Sequence, residues 1–87
     1  MSTKERLLDE ASALSEKIKE GSDELQRKIY YCEDEQGYLN WLENVQVFLY
    51  ENDCKKDQYD DFRNLKTEIS PLNHKKIIAI INSTKQV

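Results

Sequence analysis

The sequence predicts an all-α fold, a small bundle of three to four helices, and three observations carry that expectation. The 87 residues contain only two Gly and one Pro, too few to mark the turns that an all-β domain needs roughly every 8–12 residues. Apolar residues recur at helical spacing along most of the chain. One stretch, YLNWLENVQVFLY at residues 38–50, packs nine apolar or aromatic side chains into thirteen positions of a chain that is 34% charged. A chain of this length closes around one core, so a single domain is expected over residues 1–87.

The first element opens after Ser2 or Thr3, either of which can cap a helix. Leu7, Ala11, Leu14 and Ile18 step by 4, 3 and 4 and keep one face apolar. Leu25 and Ile29 fall in phase with that stripe if the helix continues through Gly21. The spacing therefore predicts one helix over about 3–31, with a break at Gly21-Ser22-Asp23 as the alternative.

A second helix is expected over 35–51, with Asp34 as its cap. At about 100° per residue, Tyr38, Trp41, Leu42, Val45, Phe48 and Leu49 share an arc of about 120°, a normal core-facing width. Leu39, Val47 and Tyr50 lie on a second stripe, interrupted by Glu43 and Gln46. That stripe either packs on a further element or forms a docking surface.

The third helix is predicted over 58–69, capped by Asp57, with Tyr59, Phe62, Leu65 and Ile69 inward. Ser70-Pro71 stops it, because the residue before Pro is pushed out of the α region. Asn73 caps a last helix over 74–83, with Leu72 packed on Ile77 as a staple. The run KKIIAIIN suits a strand by propensity, but no second strand-like run is evident to pair with it, so helix is the reading.

Catalytic and metal chemistry find little support. One His and two Cys, separated by 22 and 20 residues, match no zinc spacing. The carboxylates at 57, 60 and 61 lack the alternating ligands and the Gly of a calcium loop. His74 has no partner base or nucleophile in view, and Gly21 and Gly37 are too isolated for a phosphate loop. No enzyme activity, cofactor or metal is therefore expected. Cys32 and Cys54 read as free thiols of a reducing compartment, with a bridge between them as the lesser alternative. The N-terminus is charged from Lys4 and carries no secretory h-region, and the longest apolar run, Ile77–Ile81, is far too short for a bilayer. A cytoplasmic location without membrane contact is the expectation, the host cytoplasm if the chain is phage-encoded.

Charge points to partners. Net charge is −4, but residues 33–61 carry nine acids and two bases (−7), whereas 62–87 carry one acid and five bases (+4). Acids at 33, 34, 35, 43, 51 and 53 would rim the second stripe and steer a basic partner toward it. The expected function is binding of another protein, as a stoichiometric inhibitor, adaptor or regulator, through Leu39, Glu43, Val47, Tyr50, Glu51 and Asp53. The same stripe could serve as a homodimer seam. The alternative is a DNA-binding regulator in which two helices joined by SPLN present Asn73, His74, Lys75 and Lys76 in a helix-turn-helix outline. The acidic balance weighs against it, because phosphate neutralisation dominates DNA affinity. In general outline, small, acidic, helical and lacking a catalytic motif, the chain resembles phage-encoded inhibitors and antitoxin-like regulators. That likeness is one of type rather than motif, and it implies a non-enzymatic inhibitor.

Overall fold

The computed structural model describes residues 2–87 and corrects the all-α expectation. Four helices are joined by a two-stranded antiparallel sheet, 62% helix and 14% strand, a mixed α/β chain. The order is α1 (Thr3–Ser15), β1 (Ile18–Ser22), β2 (Lys28–Cys32), α2 (Glu35–Glu51), α3 (Lys56–Leu65) and α4 (Pro71–Ser83).

The predicted helix over 3–31 is the element that fails, and so does its variant of two helices broken at Gly21. α1 ends at Ser15, and a β-hairpin occupies 18–32. A helix over 3–31 would run about 43 Å at 1.5 Å per residue, whereas the 17-residue α2 covers about 25 Å. Its second half would have had no neighbour on which to bury Leu25 and Ile29. As a hairpin, the segment pairs its two strands with each other and uses Ile29, Tyr30 and Tyr31 where β-branched and aromatic residues fit best. Ile18 pairs with Cys32 and Ser22 with Lys28.

The turn is built by Asp23. Its Oδ1 accepts the main-chain N–H groups of Leu25 (2.9 Å) and Arg27 (2.8 Å), and its Oδ2 accepts Arg27 Nε–H at 2.7 Å. Gln26 donates its N–H to the Asp23 carbonyl and takes φ 63°, the left-handed residue that closes a three-residue hairpin loop. Gly21 lies opposite Ile29 in the ladder. A Cβ there would come within 3.3 Å of the Tyr31 ring, so its role is to let that ring lie across the strand.

The helices pack around one core. α1 lies against α2 and α4, and α3 lies against α4 and more lightly against α2. Six of the fourteen buried apolar residues come from α2, making it the central contributor: Tyr38, Trp41, Leu42, Val45, Phe48 and Leu49. Those six are the inward arc that the 3.6-residue period selects. Asp34 caps α2, accepting the Gly37 N–H at 3.0 Å. A Cβ at Gly37 would collide with that carboxylate, so the missing side chain is what lets the cap fold over the helix end.

The later helices depart from expectation at their ends. α3 spans 56–65 rather than 58–69, and its cap position, Lys55, makes no side-chain cap bond. Asp57 instead sits in the first turn and accepts the Gln58 N–H. α4 begins at Pro71 rather than residue 74, capped by Ser70, whose Oγ accepts the Asn73 N–H at 3.0 Å. Pro suits a first helical position because its absent N–H would have had no partner there. Asn73 is therefore not the cap. Its Nδ2 donates to the carbonyls of Leu65 and Glu68, tying the end of α3 to the start of α4. Leu72 is exposed rather than stapled to Ile77.

Buried polar bonds fix the relation of three helices. The Trp41 indole N–H donates to the Leu7 carbonyl at 3.0 Å. His74 is buried, with Nε2 at 2.9 Å from the Ala11 carbonyl and Nδ1 at 2.8 Å from Tyr38 Oη. A carbonyl only accepts, so Nε2 carries the proton and Nδ1 accepts from the Tyr38 hydroxyl. The C-terminal residues close the other end: Asp53 donates its N–H to the Lys85 carbonyl, and Lys4 Nζ donates to the carbonyls of Asn82 and Thr84, both at 3.0 Å.

Candidate functional site

The outer face of α2 is the surface the sequence singles out, and no other element covers it. Tyr50 is 82% exposed, Val47 53% and Leu39 46%. Glu43, Glu51 and Asp53 are exposed as well. Along α2 there are three acids, Glu35, Glu43 and Glu51, and no base. The surface is a ridge rather than a bowl. Leu39, with Glu43 and Gln46, lines a depression shared with Lys66 and Thr67 at the end of α3. Val47, with Glu51, lines another on the far side, shared with Arg6 and Glu10 of α1. Tyr50, the most exposed of the three, lines neither depression. Lys66 Nζ donates to Gln46 Oε1 at 2.7 Å, so one of the two bases beside the ridge, the other being Arg6, is held in place.

The remaining acids of the expected rim are engaged elsewhere. Glu33 pairs with Lys19 at 3.7 Å and Asp34 with Lys17 at 3.9 Å, both at the base of the hairpin. Asp53 keeps its side chain in solvent while its main chain bridges to Lys85.

The four residues of the nucleic-acid alternative do not form one surface. His74 is buried between α1 and α2, and Asn73 spends its amide on the carbonyls of Leu65 in α3 and Glu68 just beyond it. Lys75 and Lys76 are exposed but line different depressions, one beside Ile18 and Pro71, the other beside Asp61 and Asn64. A recognition helix needs its reading side chains free on one face, and two of these four are not.

A second apolar surface escaped the sequence reading. Leu25, Ile29 and Tyr31 of the hairpin are exposed, although the helical stripe would have turned the first two inward. The signal that could have revealed them is local: Gly-Ser-Asp followed by Ile-Tyr-Tyr-Cys, turn residues ahead of a β-branched and aromatic run.

Titration separates the two regions. Burial lowers the His74 pKa below its ordinary value, opposed by the bond to the Ala11 carbonyl. Burial raises that of Tyr38, so its hydroxyl remains a donor. In the hairpin, the Arg27 main-chain N–H above all holds the Asp23 carboxyl below its usual range. Among the described residues, no group of three or more His, Cys, Asp or Glu could hold a metal ion. Cys32 is buried and Cys54 half-buried, both free thiols. No helix of the described residues is long and apolar enough to cross a membrane.

Fold and surface together define a small mixed α/β protein, a helical body with a hairpin arm and an acidic helix ridge. No protein-family model, curated protein or solved structure matches the chain.

Proposed function

We propose that this chain is a non-enzymatic cytoplasmic protein that binds another protein, acting as a stoichiometric inhibitor, adaptor or regulator through the outer ridge of α2. One observation carries the reading: large apolar and aromatic side chains, Leu39, Val47 and Tyr50, stand exposed on a helix whose only charges are acidic. Interfaces concentrate aromatic anchors at their centres and set charge around them. Glu43, Glu51 and Asp53 supply a negative surround, so the partner of this reading presents a basic rim around an apolar hollow. The two depressions beside Leu39 and Val47 would receive side chains of that partner. The single His supports a binding rather than catalytic role, since both its ring nitrogens are spent on packing bonds.

The test is affinity capture with wild type and with Tyr50→Ala and Val47→Asp, alongside thermal unfolding. The expected result is a basic protein retained by wild type, released by raised salt and lost from both variants at an unchanged melting temperature. Equal retention by the variants would refute the docking site. A large fall in melting temperature would make these residues structural instead.

A further inference from the structure

The outer edge of β2 carries a pattern of its own. Main-chain bonds from Glu33 N–H to the Lys17 carbonyl and from Asp23 N–H to the Arg27 carbonyl bracket the hairpin ladder at its two ends. Antiparallel ladders alternate bonded and non-bonded pairs. The register therefore makes Lys19/Tyr31 and Gly21/Ile29 bonded pairs, and leaves Lys28, Tyr30 and Cys32 with N–H and C=O directed away from β1. None of these six groups bonds elsewhere among the described residues. They open onto a cleft of about 600 Å³ whose far wall is Thr67, Glu68, Ile69 and Ser70. Edge strands are usually protected by Pro, a bulge or a covering element. β2 has no Pro, and its register with β1 runs without a bulge.

We infer that this edge pairs with the same edge of a second copy of the chain, antiparallel and centred on Tyr30, to make a four-stranded sheet across a two-fold axis. The strand is complementary to itself in that register. Residue numbers of opposed positions then sum to sixty, placing Tyr30 opposite Tyr30 and Lys28 opposite Cys32, the positions whose main-chain groups are free. Six intermolecular main-chain hydrogen bonds result. Ile29 falls opposite Tyr31 twice, at the non-bonded positions where cross-strand side chains approach most closely. These two residues are the exposed apolar pair of β2, 41% and 46% accessible, and both lie on the face turned away from the helices, opposite buried Cys32. Arg27 falls opposite Glu33 at both ends, so unlike charges close the pair. A five-residue strand pair is a small interface, and a weak, concentration-dependent dimer is the expected form. The α2 ridge takes no part in it.

Sedimentation across a wide range of protein concentration tests the inference, paired with amide hydrogen exchange at low and high concentration. Wild type should shift from monomer to dimer mass, with protection rising at the amides of Lys28, Tyr30 and Cys32. Ile29→Lys and Tyr31→Lys should abolish the dimer while the thermal midpoint holds, both side chains being exposed. Glu33→Arg should weaken it roughly tenfold by setting Arg against Arg at two sites. A monomer at every concentration would overturn the inference, including the case where those amides become protected only by a peptide from another protein. A dimer that leaves their exchange unchanged, or that is lost with Tyr50→Ala instead, would also overturn it and would place the seam on α2.

Discussion

The helical body and the hairpin arm are held by different physics. In the body, thirteen of the fourteen buried apolar residues are found, the other being Cys32 of the hairpin, and the polar groups among them are paired across helices: Trp41 to Leu7, His74 to Ala11 and Tyr38. Each bond joins residues more than thirty positions apart, so it exists only when the whole body is assembled. In the arm, the bonds are local, clustered on Asp23, and the ion pairs Lys28–Glu20 and Lys19–Glu33 lie in solvent. Exposed pairs of this kind contribute little, and a lone two-stranded hairpin is marginal in water. The difference teaches where to expect unequal stability in one chain, with the arm opening at lower free-energy cost than the body.

Predictions that break the comparison begin in the body. Trp41→Ala should cost about 3–5 kcal/mol through lost burial and the cavity left behind, read as a lower denaturant midpoint with every body probe moving together. Tyr38→Phe leaves His74 Nδ1 without its donor and should cost about 1–3 kcal/mol, the usual toll of a buried unpaired acceptor. Gly37→Ala displaces the Asp34 cap and should cost about 1 kcal/mol, seen as faster amide exchange in the first turn of α2.

Acid sharpens the contrast. The His74 pKa is lowered in the folded state, so the unfolded chain binds the proton more readily. Stability is then full above about pH 6.5, declines as pH falls below that unfolded value, and levels off under the folded one. A His74→Gln variant, whatever its baseline, should lose that slope. Asp23 has a linkage of the same sign set at a lower pH: its pKa is also lowered, here because the charged carboxylate is the bonded form. Its support of the hairpin persists above about pH 3.9 and disappears as pH falls through the folded value. Stability of the body should therefore respond to mild acid while amide protection in the hairpin holds until strong acid. Coincident loss of both near pH 6 would show that arm and body are one cooperative unit.

The smallest effect is expected at Gln26. Replacing it with Gly relieves a left-handed backbone at a cost-free position and should stabilise the turn by up to about 1 kcal/mol. Hydrogen exchange within 23–27 should slow while the global melting temperature barely moves.

The inward face of α2 was legible because its period is local and unbroken over 17 residues, and its Asp34 cap lies beside the residues it serves. The same rule misled at residues 18–32. Ile18, Leu25 and Ile29 stand in helical phase with Leu7, Ala11 and Leu14, and a periodicity test has no term for whether a facing surface exists. His74 shows the same limit in a single residue. The nucleic-acid alternative set it on an outer face, yet α1 and α2 close over it. The exposed ridge was legible as a leftover, the stripe that the core arc omitted. That Leu39 and Val47 fall into separate depressions depends on where α1 and α3 pack, which no local pattern encodes.

By itself, then, the chain determined the features set within a few residues of one another: the length, inner face and Asp34 cap of α2, the acid-rich middle and the basic end. Tertiary structure alone decided whether 18–32 would wind or pair, which polar groups would be buried, and which apolar groups would remain outside. The physical reason is that helix period and capping are satisfied by neighbours in sequence, whereas burial and strand pairing require surfaces that only the assembled body provides.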